Sequence, residues 1–272
     1  MAKINMVQSL NSTLHEVMAK DGTIVLMGED IGINGGVFRV TDGLFSKFGR
    51  QRVIDSPIAE SAILGTAIGM AIAGLKPVVE MQFSGFSYLM MHQLEGNASR
   101  MRTRSRGQFT VPLVVRMPYG GGIRALEHHS ESKEIYFAHT PGIKVVIPST
   151  PSNAGLLLKA AINDPDPVIF MEPKRSYRSF KEQVNEKAPG ITLGKANVLE
   201  NGNDITIISW GAMMRDTLKA VTELKDERNF MPDIIDLLTI SPLDTKTIVE
   251  SVKKTGRCVV IQEAQKSFGP AS

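Results

Sequence analysis

The chain has 272 residues, 42% hydrophobic and 22% charged, with 31 Lys and Arg set against 28 Asp and Glu. This is the composition of an ordinary globular protein, long enough to bury a sizeable core in one large domain or two smaller ones. A net charge of +3 is too mild to call for nucleic acid or a membrane surface, and one cysteine, Cys258, excludes an intrachain disulfide and is typical of a reducing compartment.

No charged-then-apolar leader precedes Val7, and the longest uncharged stretch, residues 61–75, is too short and Gly-rich to span a bilayer. The expectation is a soluble cytoplasmic protein, or one of the mitochondrial matrix if a leader has been removed. Residues 4–20 place Ile4, Val7, Leu10, Leu14 and Val17 at helical spacing, predicting one helix with an apolar face. Asp21-Gly22 ends it, and residues 23–27 read as a buried strand. Gly28-Glu29-Asp30 follows at the carboxyl end of that strand, then a Gly-rich segment from Gly32 to Gly36. Neither GxxxxGK[ST] nor GxGxxG occurs there, so a phosphate loop is poorly supported.

Val53-Ile54-Asp55 is a short strand that stops at Ser56-Pro57. A helix opening near Glu60 and a strand over residues 77–83, closing at Phe86, complete a strand–turn–helix–strand unit. Such units build parallel sheets, which place chemistry at the carboxyl ends of their strands. Glu60 stands at one of those ends. A carboxylate opening an apolar helix must be paired, hydrated or bound to something, or it is a first-turn acid favoured by the positive helix end. Gly65, Gly69 and Ala73 are spaced by four along the same helix. Interior glycine costs about 1 kcal/mol against alanine, so the spacing predicts close packing, within the fold or across a subunit interface.

Residues 89–107 read as a helix ending in Arg100, Arg102, Arg104 and Arg106, with no aromatic interleaving and no nucleic-acid module. Residues 111–117 form a buried strand, and the loop after Pro118 leads to His128 and His129. Adjacent histidines point apart, and no HExxH or cysteine ligand accompanies them, which argues against a metal. Residues 153–162 are a helix whose turn carries Asp164 and Asp166 into a strand over 168–171. Paired aspartates near helix-end carbonyls suit a hard cation; a plain Asx turn competes. Residues 172–203, broken by Pro173, Pro189 and Gly190, read as a linker. Strands over 205–210, 234–238 and 258–262, with helices over 213–226 and 245–254, make a second α/β domain with few strands.

Several separated motifs agree in order and spacing. They are Asp55-Ser56-Pro57-Ile58-Ala59-Glu60 before a Gly/Ala-rich helix, a GEDxxxxGGVF segment from Gly28 to Phe38, His129-Ser130, and the run from Phe137 to Val146. Together they resemble the beta subunit of thiamine diphosphate-dependent 2-oxo acid dehydrogenases, which includes the pyruvate, branched-chain and acetoin enzymes. The resemblance implies an α/β fold: a parallel-sheet, pyrimidine-type domain over 1–185, then a transketolase C-terminal-like domain over 186–272 that looks short. It implies that Glu60 contacts N1′ of the cofactor's aminopyrimidine, with Glu29 beside it, Phe86 stacked on the ring, and Ile58 and Gln82 as neighbours. His129 is the implied acid–base group for the substrate carboxylate or keto oxygen and for acyl transfer; His139 is structural. Potassium is implied at Leu113, Ala161, Ile162, Asp164 and Asp166. The glycine-spaced helix is implied to lie at a subunit contact.

Thiamine diphosphate enzymes hold the diphosphate through Mg²⁺ on a GDG motif. Here both Asp-Gly pairs follow Lys20 or Thr41, so an alpha subunit in an α2β2 tetramer is expected to supply the Mg²⁺ ligands. The implied activity is oxidative decarboxylation of a 2-oxo acid with acyl transfer to the lipoamide of a separate acyltransferase, branched-chain acids slightly favoured over pyruvate. The alternatives are an acetoin dehydrogenase, a transketolase-like half-enzyme, or a non-catalytic interaction protein of the same fold.

Overall fold

A computed structural model describes residues 3–185 and 188–272. The expected domain boundary, at residue 186, lies outside the described residues. Asn5 starts the first helix, Met6–Lys20, by a reciprocal cap in which its side chain and that of Gln8 each accept the other's backbone N–H. Ile4, expected inside this helix, belongs instead to a two-residue strand paired with Glu182–Gln183.

Seven strands form the larger sheet among the described residues, in the order Thr239–Ser241, Lys144–Val146, Val168–Pro173, Val114–Tyr119, Lys76–Glu80, Ile24–Gly28 and Val53–Asp55. All neighbours are parallel except Thr239–Ser241, which runs antiparallel to Lys144–Val146. Parallel strands are covered on both faces and read as continuous apolar runs. Val78, Val114 and Phe170 face Leu10, Leu14 and Leu157, whereas Val79, Val115 and Ile169 face Ile63, Leu64 and Ala67 of the helix Glu60–Ile72.

The smaller sheet has the order Cys258–Ile261, Thr206–Ser209, Asp233–Asp236 and Asn197–Glu200, the last strand antiparallel. Asn197–Glu200 falls where a linker was expected. Its pairing with Asp233–Asp236 supplies the fourth strand that the sequence did not show. Nor do the domains divide cleanly, because Thr239–Ser241 follows a strand of the smaller sheet and then joins the edge of the larger one. At this junction Ser149 donates to Asp236 Oδ1 at 2.8 Å and accepts the Gly211 N–H at 2.9 Å. Burial pushes the Asp236 carboxyl up to about 7, against the lowering effect of Ser149 and the Leu238 N–H.

The helix expected over 89–107 is broken. A 3₁₀ turn Ser84–Met90, a short helix Met91–Gly96 and a four-residue helix Met101–Arg104 replace it. Gly96 and Asn97 are poor helix formers. Asn97 leaves helical backbone angles, with its side-chain amide donating to Gln93 Oε1 at 2.8 Å. The arginines that follow are used locally: Arg100 donates to the Glu95 carbonyl, Arg104 to Asn97, and Arg102 pairs with Asp166 at 2.7 Å. The close packing expected along Gly65 and Gly69 is not made among the described residues. A Cβ at Gly65 meets the Gln93 side chain at an ordinary 3.5 Å, and one at Gly69 meets nothing within 4 Å.

Three charged side chains lie in the middle of the larger sheet. Arg116, 2% exposed, donates to Glu172 through Nε and Nη2 at 2.7 and 2.9 Å, and through Nη1 to Glu80 at 2.7 Å. The Tyr177 hydroxyl donates to Glu172 as well. Burial opposes the charge on Arg116, but Glu172 and Glu80 outweigh it and raise its pKa. Burial pushes Glu80 above the ordinary carboxylate range, opposed first by Arg116.

Removing one partner of a buried ion pair strands the others and typically costs about 3–5 kcal/mol. Arg116→Leu is therefore expected to destabilise the chain by about that amount. An acid whose folded pKa lies above its unfolded one adds no cost below the unfolded value and a growing cost as pH rises through the folded one. Without the guanidinium Glu80 is raised further, so the loss is expected to be larger at pH 8 than at pH 5. Chemical denaturation at the two pH values measures it.

Candidate active site

The parallel register aligns Gly28 with Asp55 on one side and with Glu80 on the other. The carboxyl ends of the strands thus share one edge, and the expected site residues leave from it: Glu29, Ile58, Glu60, Gln82 and Phe86. The Gly-rich segment after Glu29 is pinned by Asp55, whose carboxylate accepts the Gly32 and Ile33 N–H groups at 2.6 and 3.3 Å. Gln82 Nε2 donates to Asp30 at 3.3 Å, tying the loops of neighbouring strands together.

Glu60 opens the helix Glu60–Ile72 and is 5% exposed. Its Oε2 is buried without a hydrogen-bond partner among the described residues. A buried carboxylate oxygen left unpaired is costly and calls for an explanation; Ser56 Oγ, Glu134 Oε2 and Asp233 Oδ1 share this condition among the described residues. Glu29 is also buried. Burial, then the charge of Glu60, then that of Asp30 push its carboxyl above the usual range, so Glu29 holds a proton beside Glu60 more readily than an isolated acid does. The helix of Glu60 packs on the turn Ser84–Met90 that carries Phe86. Ile58, by contrast, is 83% exposed.

His129 is brought to the same edge. Its ring stands edge-on to Phe83 and Phe86, with centroids at 4.4 and 5.3 Å. Nδ1 lies 3.0 Å from the Glu127 carbonyl, which only accepts, so Nδ1 carries the hydrogen. In the neutral ring Nε2 is therefore a free acceptor, and in the imidazolium it is a donor. Gly85 permits this placement, because a Cβ there would overlap the His128 backbone. His128 is exposed, with Nδ1 3.6 Å from Glu131. Lys174 was not anticipated; its ammonium donates to the His129 carbonyl. Nothing in the local sequence marks it, since the pairing depends on a loop 45 residues away.

The expected cation site is arranged differently. Lys144 Nζ lies 2.7 Å from Asp164 and 3.6 Å from Asp166, and Arg102 completes the neutralisation of Asp166. The Leu113 and Ala161 carbonyls accept the Val168 and Asp164 N–H groups at 2.9 and 3.2 Å, and Ile162 ends the adjoining helix. The charges of Asp164 and Asp166 are thus balanced by two side chains of the protein, Lys144 and Arg102. No cluster of three or more His, Cys, Asp or Glu suited to a metal occurs among the described residues. The orphaned Glu60 oxygen beside an aromatic turn does fit the polar edge of an aminopyrimidine.

The transketolase pyrimidine-binding domain family matches residues 2–179, and the transketolase C-terminal domain family matches residues 194–272. Among curated relatives, the pyruvate dehydrogenase E1 component subunit beta of Acholeplasma laidlawii is 55% identical over the whole chain, which spans 83% of that protein. The proteins of the same name from Bacillus subtilis and Mycoplasma genitalium are 48% and 49% identical, the chain spanning 83% and 81% of them. Of solved structures, a split-gene transketolase described as an inactive beta4 tetramer superposes with TM-score 0.81 at 21% identity, over 99% of this chain and 83% of the other. A transketolase from Campylobacter jejuni gives 0.73 at 16%, over 95% of this chain and 39% of the other. No helix among the described residues is long and apolar enough to cross a membrane. The orphaned carboxylate at the sheet edge, the aromatic turn beside it and these matches agree: the chain belongs to the beta-subunit family of thiamine diphosphate-dependent 2-oxo acid dehydrogenases, built on the transketolase fold.

Proposed function

We propose that this chain is the beta subunit of a pyruvate dehydrogenase that works with an alpha subunit in an α2β2 tetramer. In this reading it decarboxylates pyruvate oxidatively and hands the acetyl group to the lipoamide of a separate acyltransferase. The observation that supports the reading is the Oε2 of Glu60, buried and without a hydrogen-bond partner among the described residues. Relatives about half identical to the chain bear the pyruvate name, which replaces the slight branched-chain preference expected from the sequence. The open apolar side chains at the sheet edge, Ile58 and Ile33 at 83% and 81% exposure, fit cover by an alpha subunit. The uncovered Gly69 face of the helix Glu60–Ile72 fits a second subunit contact.

Bound thiamine diphosphate supplies an acidic thiazolium carbon and the electron sink for decarboxylation. The work of this chain is to control protons and position. Glu60 would present its carboxyl group to the N1′ edge of the aminopyrimidine, with Glu29, whose carboxyl is raised by burial and by the charge of Glu60, beside it. Phe86, Ile58 and Gln82 fix the ring beside it. His129, with Nδ1 committed to the Glu127 carbonyl, presents Nε2 to the substrate carboxylate or keto oxygen and moves a proton there during acyl transfer. Mg²⁺ and the diphosphate are held by the alpha subunit.

Three measurements test this. In the assembled enzyme, kcat/KM for pyruvate is expected to exceed that for 3-methyl-2-oxobutanoate by at least tenfold; a reversed order returns the assignment to the branched-chain class. Calorimetry on the isolated chain is expected to show weak or no binding of thiamine diphosphate with Mg²⁺, and tight binding without a partner contradicts the half-site. Glu60→Gln keeps size and reach but lacks the acidic proton. It is expected to leave assembly intact by size-exclusion chromatography while slowing exchange of the cofactor's C2 proton with deuterium by about 10²–10⁴. Exchange at the parental rate reduces Glu60 to a helix-start acid.

A further inference from the structure

Lys174 stands just after the strand Val168–Pro173 and is 4% exposed, an unusual setting for an ammonium. Burial draws its pKa down to about 8, with the nearby charge of Glu263 acting the other way. No salt bridge within 4 Å satisfies it among the described residues. Its hydrogen bond goes to the backbone carbonyl of His129, and Nζ also lies 5.3 Å from the centroid of the Phe83 ring. That ring is one of the two against which the His129 imidazole stands. A buried cation is held at one backbone carbonyl and one aromatic face, and both belong to the setting of a single histidine.

The rest of the loop explains why such an anchor is needed. Gly120 N–H donates to the Glu131 carbonyl, and Ser84 Oγ donates to the same carbonyl, so the loop is closed at its base. Gly121 N–H donates to Glu263 at 2.5 Å, which ties the loop's first limb to the smaller sheet's side of the molecule. Between these ties lie exposed residues, among them Leu126 and His128, and two non-glycine residues with positive φ, Arg124 and His128. Within its own loop His129 makes, among the described residues, the local bonds of its N–H to Leu126 and of Nδ1 to Glu127. Among the described residues, the Lys174 contact is the one hydrogen bond that connects the His129 backbone to the turn leaving the strand Val168–Pro173 of the larger sheet.

We propose that Lys174 is a positioning residue: its ammonium holds the His129 carbonyl and thereby sets the imidazole between Phe83 and Phe86, with Nε2 turned to the substrate. The proposal rests on the catalytic reading of His129, but the placement of the ring can be tested apart from that reading. A reacting group displaced by about 1 Å loses on the order of 10² in rate. A loosened His129 therefore lowers kcat far more than it raises KM.

The test uses the enzyme assembled with its alpha subunit, pyruvate as substrate and a dye as electron acceptor. Lys174→Met keeps the length of the side chain and suits a buried place; Lys174→Arg keeps a donor and guards against a variant that merely folds badly. Lys174→Met is expected to lower kcat by about 10–10² with KM within threefold, and Lys174→Arg to restore part of the loss. In a double-mutant cycle with His129→Ala, the double variant is expected to be no slower than His129→Ala alone. Losses that multiply overturn the proposal. Positioning is read separately by ¹³C-labelled histidine spectra of the same assembly, which contains five histidines in this chain. Lys174→Met is expected to move the ring-current-shifted His129 signal and leave the other four in place. An unmoved His129 signal, or movement of all five, overturns the proposal. If His129→Ala keeps the parental rate while the His129 signal still moves in Lys174→Met, the catalytic reading of the histidine is removed and the anchor remains.

Discussion

A guanidinium shut away from water and gripped by two carboxylates joins the three central strands of this protein. Arg116 sits between Glu80 and Glu172 on neighbouring strands, all three nearly free of solvent. An ion network of this kind is weak evidence for stability, because desolvation takes back much of what attraction contributes. It is better evidence for register. A slip by one residue in any of the three strands moves a charge into the apolar layer on the other face. Fixing the register fixes the edge at which every functional loop begins, since Glu80 ends the strand that pairs with Gly28.

On that edge the chain collects polar groups whose needs are only partly met. Glu60 has an oxygen with no partner, Glu29 is raised by burial beside it, and Lys174 is a buried cation serving a single carbonyl. Conflict between local comfort and global fold is expected where function is stored. The apolar side chains around the same edge face outward instead of inward. Both features fit the function proposed above, in which a second chain would cover the apolar surface and the cofactor would satisfy the carboxylate.

The two domains are joined in a way that bears on this site. Thr239–Ser241 extends the larger sheet, Ser149 binds both Asp236 and Gly211, and Glu263 reaches back to Gly121 at the start of the histidine loop. The smaller domain is thus part of the support for the His129 loop.

Much of this was written in local sequence. Strands buried on both faces read as apolar runs, and Glu60 stood out because a charge opening an apolar helix demands a reason. The isolated charges in Val-Val-Glu, Val-Val-Arg and Phe-Met-Glu were visible too, each following apolar residues in a strand, but nothing local says that three such charges meet. What required the tertiary structure was each contact between distant segments. Lys144 and Arg102 neutralise Asp164 and Asp166, where sequence alone admitted a metal ion. Asn197–Glu200 becomes a strand only because Asp233–Asp236 offers it an edge, and the helix over 89–107 breaks at Asn97, where side-chain bonding replaces the helical pattern. Lys174 has no signature at all, because its role is set by a carbonyl 45 residues away. Local patterns report what a segment prefers; which charges pair and which loop is held depend on the fold that brings them together.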